Sequence, residues 1–250
     1  MSQRSDVTLP AIPLDLWSHK RSITIHWTII LIANCILPIA LYFSLKKHTS
    51  LHTELILSII LPIIGLPALA TLFKRFLRLY RNEDARPTTS RSRWAFDFFQ
   101  WNFTVGVVYI TIVLVLGSTS ANVRLVALMI PLSILQTCTQ LVLTEVLFIA
   151  KLAIPFPLSS FEAGSRFPPG VIVIAEDICA VDGACGRQFR SALVRRIASS
   201  PALENVSRQL DWMWGVSGLL VAGTLLAVIF GAENPEIGYA LCKLSRTSPF

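Results

Sequence analysis

The chain has 250 residues, 53% of them hydrophobic and only 15% charged, against roughly 25% charged in an ordinary soluble domain. Its mean hydropathy is +0.61, and 22 basic plus 15 acidic side chains are too few to coat a soluble fold of this length. Composition therefore excludes a soluble protein and points to the bilayer. The net charge of +7 does not indicate nucleic acid, because the basic residues flank apolar runs instead of gathering on a polar domain. A lipid surface is the expected partner.

Residues 1–22 are mostly polar, contain Pro10 and Pro13, and precede an apolar run too long for a signal-peptide core, so the first span is expected to be retained. A helix needs about 20 apolar residues to cross the hydrocarbon, where unpaired backbone groups are not tolerated. Five segments meet that length: 23–45, 55–73, 98–117, 125–150 and 212–230. The fourth is long enough to tilt, whereas the second carries Pro62, Gly65 and Pro67 and is expected to kink or unwind locally.

Basic residues set the orientation, since positively charged flanks stay in the cytoplasm. One side of the five-span arrangement receives 17 of the 22 lysines and arginines. These sit in the N-terminal segment, the connection 74–97 and the polar segment 151–211. The N-terminus is thus expected in the cytoplasm and residues 231–250 in the lumen or outside. Trp17, Trp27, Trp94, Trp101, Trp212 and Trp214 all fall at the same ends of spans one, three and five and read as an interfacial belt. The sequons at Asn102 and Asn205 are expected to stay unmodified on this topology.

Between spans four and five, residues 151–211 turn to Pro, Ser, Gly and mixed charge, marginal in length for an independent domain. Four prolines keep its first part extended. The β-branched run Val171 to Ala175 predicts a short buried strand, followed by a turn over Glu176 to Gly186 and a helix from Arg187 to Ser199. Phe189, Leu193 and Ile197 form one stripe of that helix, flanked by Arg187, Arg190, Arg195 and Arg196. Such a basic amphipathic helix suits an anionic leaflet or a partner. A second short helix, 201–210, leads into span five. The expected fold is an all-α integral membrane protein of about five spans with a small cytoplasmic α/β-like insert.

Three stretches carry a family resemblance: Leu16-Trp17-Ser18-His19-Lys20-Arg21-Ser22, Asp97-Phe98-Phe99-Gln100-Trp101-Asn102-Phe103-Thr104, and Glu176-Asp177 with Ala180-Val181-Asp182-Gly183 before Gly186-Arg187 and Phe189-Arg190. Through them the chain resembles an uncharacterised family of fungal multi-pass membrane proteins often found beside specialised-metabolite biosynthetic genes. The resemblance implies no activity. Two departures stand out: Ala184 and Cys185 replace glycines of a usual four-glycine run, and the last apolar span is cut short after Tyr239-Ala240-Leu241-Cys242.

Candidate chemistry is sparse. The turn Asp182, Gly183 to Gly186 and the following helix offer an N-terminus that suits phosphate, although Asp182 opposes an anion and makes an adequate N-cap. Glu145 is the one carboxylate well inside a span, with Gln136 and Gln140 on a polar stripe nearby. As a site, Glu145 acts as acid or base and Gln136 or Gln140 orients a lipophilic substrate. As structure, the same residues hold helices together. His48 and His52 have metal-ligand spacing but lie in a short loop, and no metal or cofactor is expected. Diphosphate-binding acidic motifs, a G-x-S-x-G elbow and a P-loop are all missing. The favoured reading is a non-catalytic membrane anchor or accessory of a lipophilic-metabolite pathway, in endoplasmic reticulum or another endomembrane, with other pathway enzymes as partners.

Overall fold

The computed structural model describes residues 36–90 and 92–233, with a few positions between 20 and 32. Regular structure among them is helical: α1 (Leu37–His48), α2 (Thr53–Arg81), α3 (Phe98–Thr119), α4 (Val123–Ala127), α5 (Met129–Ile149), α6 (Gly170–Val181), α7 (Gly186–Ser199) and α8 (Pro201–Gly231), with a 3₁₀ turn at Glu83–Ala85. The protein is a multi-pass, all-helical membrane protein. Four described helical stretches are long and apolar enough to cross a bilayer: Thr53–Arg81, Phe98–Thr119, Val123–Ile149 and Pro201–Gly231. That is one fewer than the five expected. The first expected span lies largely outside the described residues, with its end in the helix Leu37–His48; Trp17, Trp27 and the tail from residue 234 lie outside them as well.

Two helices run well past the apolar segments that announced them. α2 continues eight residues beyond Phe73, and α8 begins eleven before Trp212 as one rod. No separate helix precedes the last span. α2 also passes through Pro62 and Pro67 without the local unwinding expected there. Ser58 and Thr71 hydroxyls donate to the carbonyls of Glu54 and Pro67, one turn back in the helix.

The expected α/β-like insert is not present: the described residues contain only two isolated bridges, Ala153 with Arg166 and Leu158 with Phe161. Val171 to Ala175 lie in α6, where tertiary contacts override β-propensity. Pro169 starts this helix, and the Asp211 carboxylate accepts the first two amides, Gly170 N–H at 2.6 Å and Val171 N–H at 2.7 Å. Ile172, Val173, Glu176, Asp177, Ala180 and Val181 are buried, a four-residue rhythm that belongs to a helix face. The true turn begins at Asp182.

The chain divides into two compact units. Among the described residues, one comprises those within 75–101 and 141–213; the other comprises those within 20–74, 102–140 and 214–233. In the second, Tyr42, Ile56, Leu57, Ile60, Leu114, Ile130 and Ile229 share a core. Arg124 donates to Ala232 O at 2.7 Å there, and Asn122 caps α4 through the amides of Arg124 and Leu125. In the first, Phe189, Leu193 and Ile197 of α7 pack on Ile172 and Ala180 of α6. The apolar stripe predicted for α7 thus exists, but it is spent on α6 and is not offered to lipid.

The α6–α7 turn explains its own glycines. Gly186 has φ +65°, and a Cβ on Gly183 would lie 2.6 Å from Cys179 O. Ala184 adopts φ 54°, a left-handed conformation that costs an L-residue roughly 1–2 kcal/mol. Glycine avoids that cost but loses about 0.5–1 kcal/mol of chain entropy. Ala184→Gly should therefore raise the melting temperature in detergent slightly and Gly183→Ala should lower it. An unchanged or lower value for Ala184→Gly would contradict this account of the turn.

Candidate functional site

The first unit encloses a cluster of charged side chains contributed by four chain segments. Arg75 comes from α2, Asp97 from the residue before α3, Glu176 and Asp177 from α6, and Arg190 from α7. Arg190 Nη1 donates to Glu176 Oε1 at 2.8 Å and Asp177 Oδ1 at 2.6 Å, while Nη2 donates to Asp97 Oδ2 and Ala85 O, both at 3.1 Å. Arg75 Nη2 meets the same Asp97 oxygen at 2.6 Å and Asp177 O at 3.0 Å. Its Nη1 pairs with Asp182, and the guanidinium lies over the Phe99 ring, 4.8 Å from the centroid.

The same carboxylates start α3. Asp97 Oδ1 accepts Gln100 N–H at 2.8 Å, Asp177 Oδ2 accepts Phe99 N–H at 3.0 Å, and Ser159 Oγ accepts Phe98 N–H at 3.0 Å. Ser159 in turn donates to Asp177 Oδ2 at 2.6 Å. A helix N-terminus leaves its first amides without helical partners and carries positive partial charge, so this placement of anions satisfies both. At the far end of α6, Arg78 donates to the carbonyls of Val181 at 2.8 Å and Asp182 at 3.2 Å.

Four carboxylates face two guanidiniums, so burial is only partly compensated. Burial is the main cause that raises Asp177, to about 7; the neighbouring Asp97 charge adds to it and Arg190 opposes it. Burial likewise raises Glu176 against the pull of Arg190 and Asp182 against the pull of Arg75. For Arg190 burial disfavours the charge, but Asp177 and Glu176 outweigh it and hold the guanidinium protonated. Asp97, Glu176, Asp177 and Arg190 have no solvent exposure, and Arg75 has 1%. Only Asp182 reaches solvent. Geometry and burial make this a structural lock, closed to a substrate.

The residues singled out from sequence are distributed over several arrangements. Glu145, 2% exposed, accepts Arg208 Nη1 at 2.9 Å. Arg208 also donates to Phe167 O at 2.9 Å and Glu204 at 2.8 Å, and stacks on Phe148. Gln136 and Gln140 are engaged elsewhere, in the second unit. Both donate to Asn102 Oδ1, and Gln136 donates also to Asn102 O at 2.7 Å. Gln136 further packs against Gly106. Glu145 and the two glutamines therefore serve different contacts.

Asp182 pairs with Arg75, Gly183 closes on Cys179, and the space beside Gly186 is filled by the Asp84 carboxylate. Arg187 N–H points to Asp84 Oδ1 at 3.4 Å, so the chain's own carboxylate stands where a phosphate would bind. The Arg187 side chain donates to Pro87 O and Ser90 O at 3.1 and 2.9 Å. Arg190 belongs to the lock. Arg195 is exposed and bonds Ser191 O of its own helix, and Arg196 is half-buried in the last turn of α7.

Not visible in the sequence are the meeting of Arg75, Asp97, Glu176 and Asp177 with Arg190, the pair of Arg208 with Glu145, and the capping of α6 by Asp211. Asp97 did carry a signal, an acid immediately before an apolar helical run. Because Asp177 holds a proton in the fold between its ordinary 3.8 and about 7, where the unfolded chain has released it, stability should fall as pH rises through that window and level off above it. The decline should be shallower in Asp177→Asn, measured as melting temperature against pH. An identical slope in parent and variant would contradict the assignment.

Among the described residues no group of three or more His, Cys, Asp or Glu side chains is placed to hold a metal ion. No curated protein and no solved structure matches the chain. A family model does match, over residues 2–250, and its description is a domain of unknown function, DUF8766; the chain belongs to that family.

Proposed function

We propose that the protein is a non-catalytic accessory or anchoring component of a fungal specialised-metabolite pathway, held in the endoplasmic reticulum or another endomembrane with its N-terminus in the cytoplasm. The observation that carries the non-catalytic part is that the buried ionisable groups are committed to each other. Arg190 serves three carboxylates, and Glu145 is taken up by Arg208. A general acid or base must meet a proton of its substrate, and Glu145 at 2% exposure has a guanidinium in that place. The polar stripe of Gln136 and Gln140 is likewise used as interhelical glue on Asn102.

The pathway assignment rests on the resemblance carried by the motifs at 16–22, 97–104 and 176–190, and the orientation rests on the distribution of basic residues. Pathway enzymes and the lipid bilayer are the partners on this reading. It is tested by deleting the gene, comparing metabolites without preselection, and complementing with the parent or Glu145→Gln. Deletion should change the profile, and both complements should restore it. Failure of Glu145→Gln to restore metabolites, at parental protein level, would favour an enzyme; an unchanged profile on deletion would remove the pathway role.

A further inference from the structure

Where α2 ends, a cleft of about 350 Å³ is lined by Tyr80, Arg81, Glu83, Arg86 and Arg93. Three guanidiniums face one carboxylate. Arg86 is 5% exposed and fixed in place, donating from Nε to Leu79 O at 2.8 Å and from Nη2 to Tyr80 O at 2.7 Å. Those bonds also close two of the last carbonyls of α2, whose partial negative charge would otherwise repel an anion. Arg81 and Arg93 are exposed, and no salt bridge engages either among the described residues. Glu83 opposes an anion, but it is exposed and turned toward Arg187 at 3.8 Å.

Tyr80, which lines the cleft, belongs to a chain of aromatic rings. Tyr80 stacks on Phe76 with ring centroids 6.1 Å apart and meets Trp94 edge-on at 5.5 Å. The rings continue through Phe96, 5.1 Å from Phe76, to Trp101, 6.0 Å from Phe96. Trp94 and Trp101 are 66% and 58% exposed. Tyr80 and Arg81 close the last turn of α2, eight residues past its apolar segment, and Trp101 lies in the first turn of a membrane-spanning helix, where the interface is expected. Exposed indoles are stable there because one edge is apolar and the other polar.

We propose that the cleft binds the headgroup of an anionic membrane lipid, a phosphomonoester such as phosphatidic acid. Arg81 and Arg93 hold the phosphate, Arg86 contributes its charge, and Trp94 lies against the glycerol and upper acyl chain. A phosphomonoester carries up to two charges on three acceptor oxygens and can engage more than one guanidinium at a time. A phosphodiester bearing choline offers one negative charge and brings a cation toward three others. The site does not use the arginines of α7, since Arg187 and Arg190 are consumed internally, and it does not depend on the pathway role.

The test is native mass spectrometry of the full chain released from nanodiscs of phosphatidylcholine containing a minor fraction of phosphatidic acid. The parent should retain phosphatidic acid in preference to phosphatidylcholine, and Arg81→Gln/Arg93→Gln should lower that retention about tenfold or more with an unchanged melting temperature. Trp94→Ala should weaken the lipid as well. If the double variant folds poorly, Arg93→Gln alone carries the same comparison. Equal retention in parent and variant, no preference for phosphatidic acid, or displacement of the lipid by millimolar inorganic phosphate would overturn the proposal.

Discussion

Taking a carboxylate out of water costs several kcal/mol unless a cation and hydrogen-bond donors replace the solvent, and Asp97, Glu176 and Asp177 are all fully withdrawn. Arg190 touches each of the three, and Arg75 shares the Asp97 oxygen and caps Asp177 O. The requirement constrains the rest of that unit. To bring two guanidiniums to three acids, α2 must extend past its apolar segment to Arg75, α6 must present residues 176 and 177 on one face, and α7 must turn its fifth residue inward. Once assembled, the acids also supply the missing partners of the first amides of α3. A buried network of this kind specifies which segments meet more than it adds net stability.

Arginine does the same work throughout the unit. Arg78 closes the end of α6, Arg86 closes the end of α2, Arg187 holds the connection at Pro87 and Ser90, and Arg208 joins Glu145 to Phe167 O. The planar five-donor fork suits carbonyls and carboxylates together. A basic residue near a span thus has two uses, one toward lipid and one toward backbone, and several of the arginines that mark the polar flanks of the spans are engaged in the second. Arg81 and Arg93, both exposed, are the ones proposed for the first.

The long apolar helices were legible because hydrocarbon imposes a length and forbids charge, and α3 and the Val123–Ile149 stretch fall within two residues of their apolar limits. The extensions of α2 and α8 were not legible, since polar helical turns beyond a span carry no hydropathy signal. Residues 171–175 misled for a specific reason. Val-Ile-Val-Ile is a strand pattern when Glu176 and Asp177 belong to a turn, whereas Ile172 and Val173 join one face of a helix only when those acids are interior. That depends on Arg75 and Arg190, which lie 101 and 14 positions from Glu176 in the chain. The Phe189, Leu193 and Ile197 stripe was legible as a helix face, but its partner was not: α6 covers it. For Glu145 the sequence offered both a chemical and a packing reading, and Arg208 decides the geometry, 63 residues away.

A double-mutant cycle measures directly whether Arg190 and Asp97 are energetically coupled parts of one lock. Arg190→Gln, Asp97→Asn and the combination would be compared with the parent by denaturant unfolding in the same detergent. The lock predicts that the double variant loses less than the two single losses added together, with a coupling of about 1–3 kcal/mol. Additive losses, within about 0.5 kcal/mol, would mean that the two side chains act independently and that the buried charges do not organise the unit.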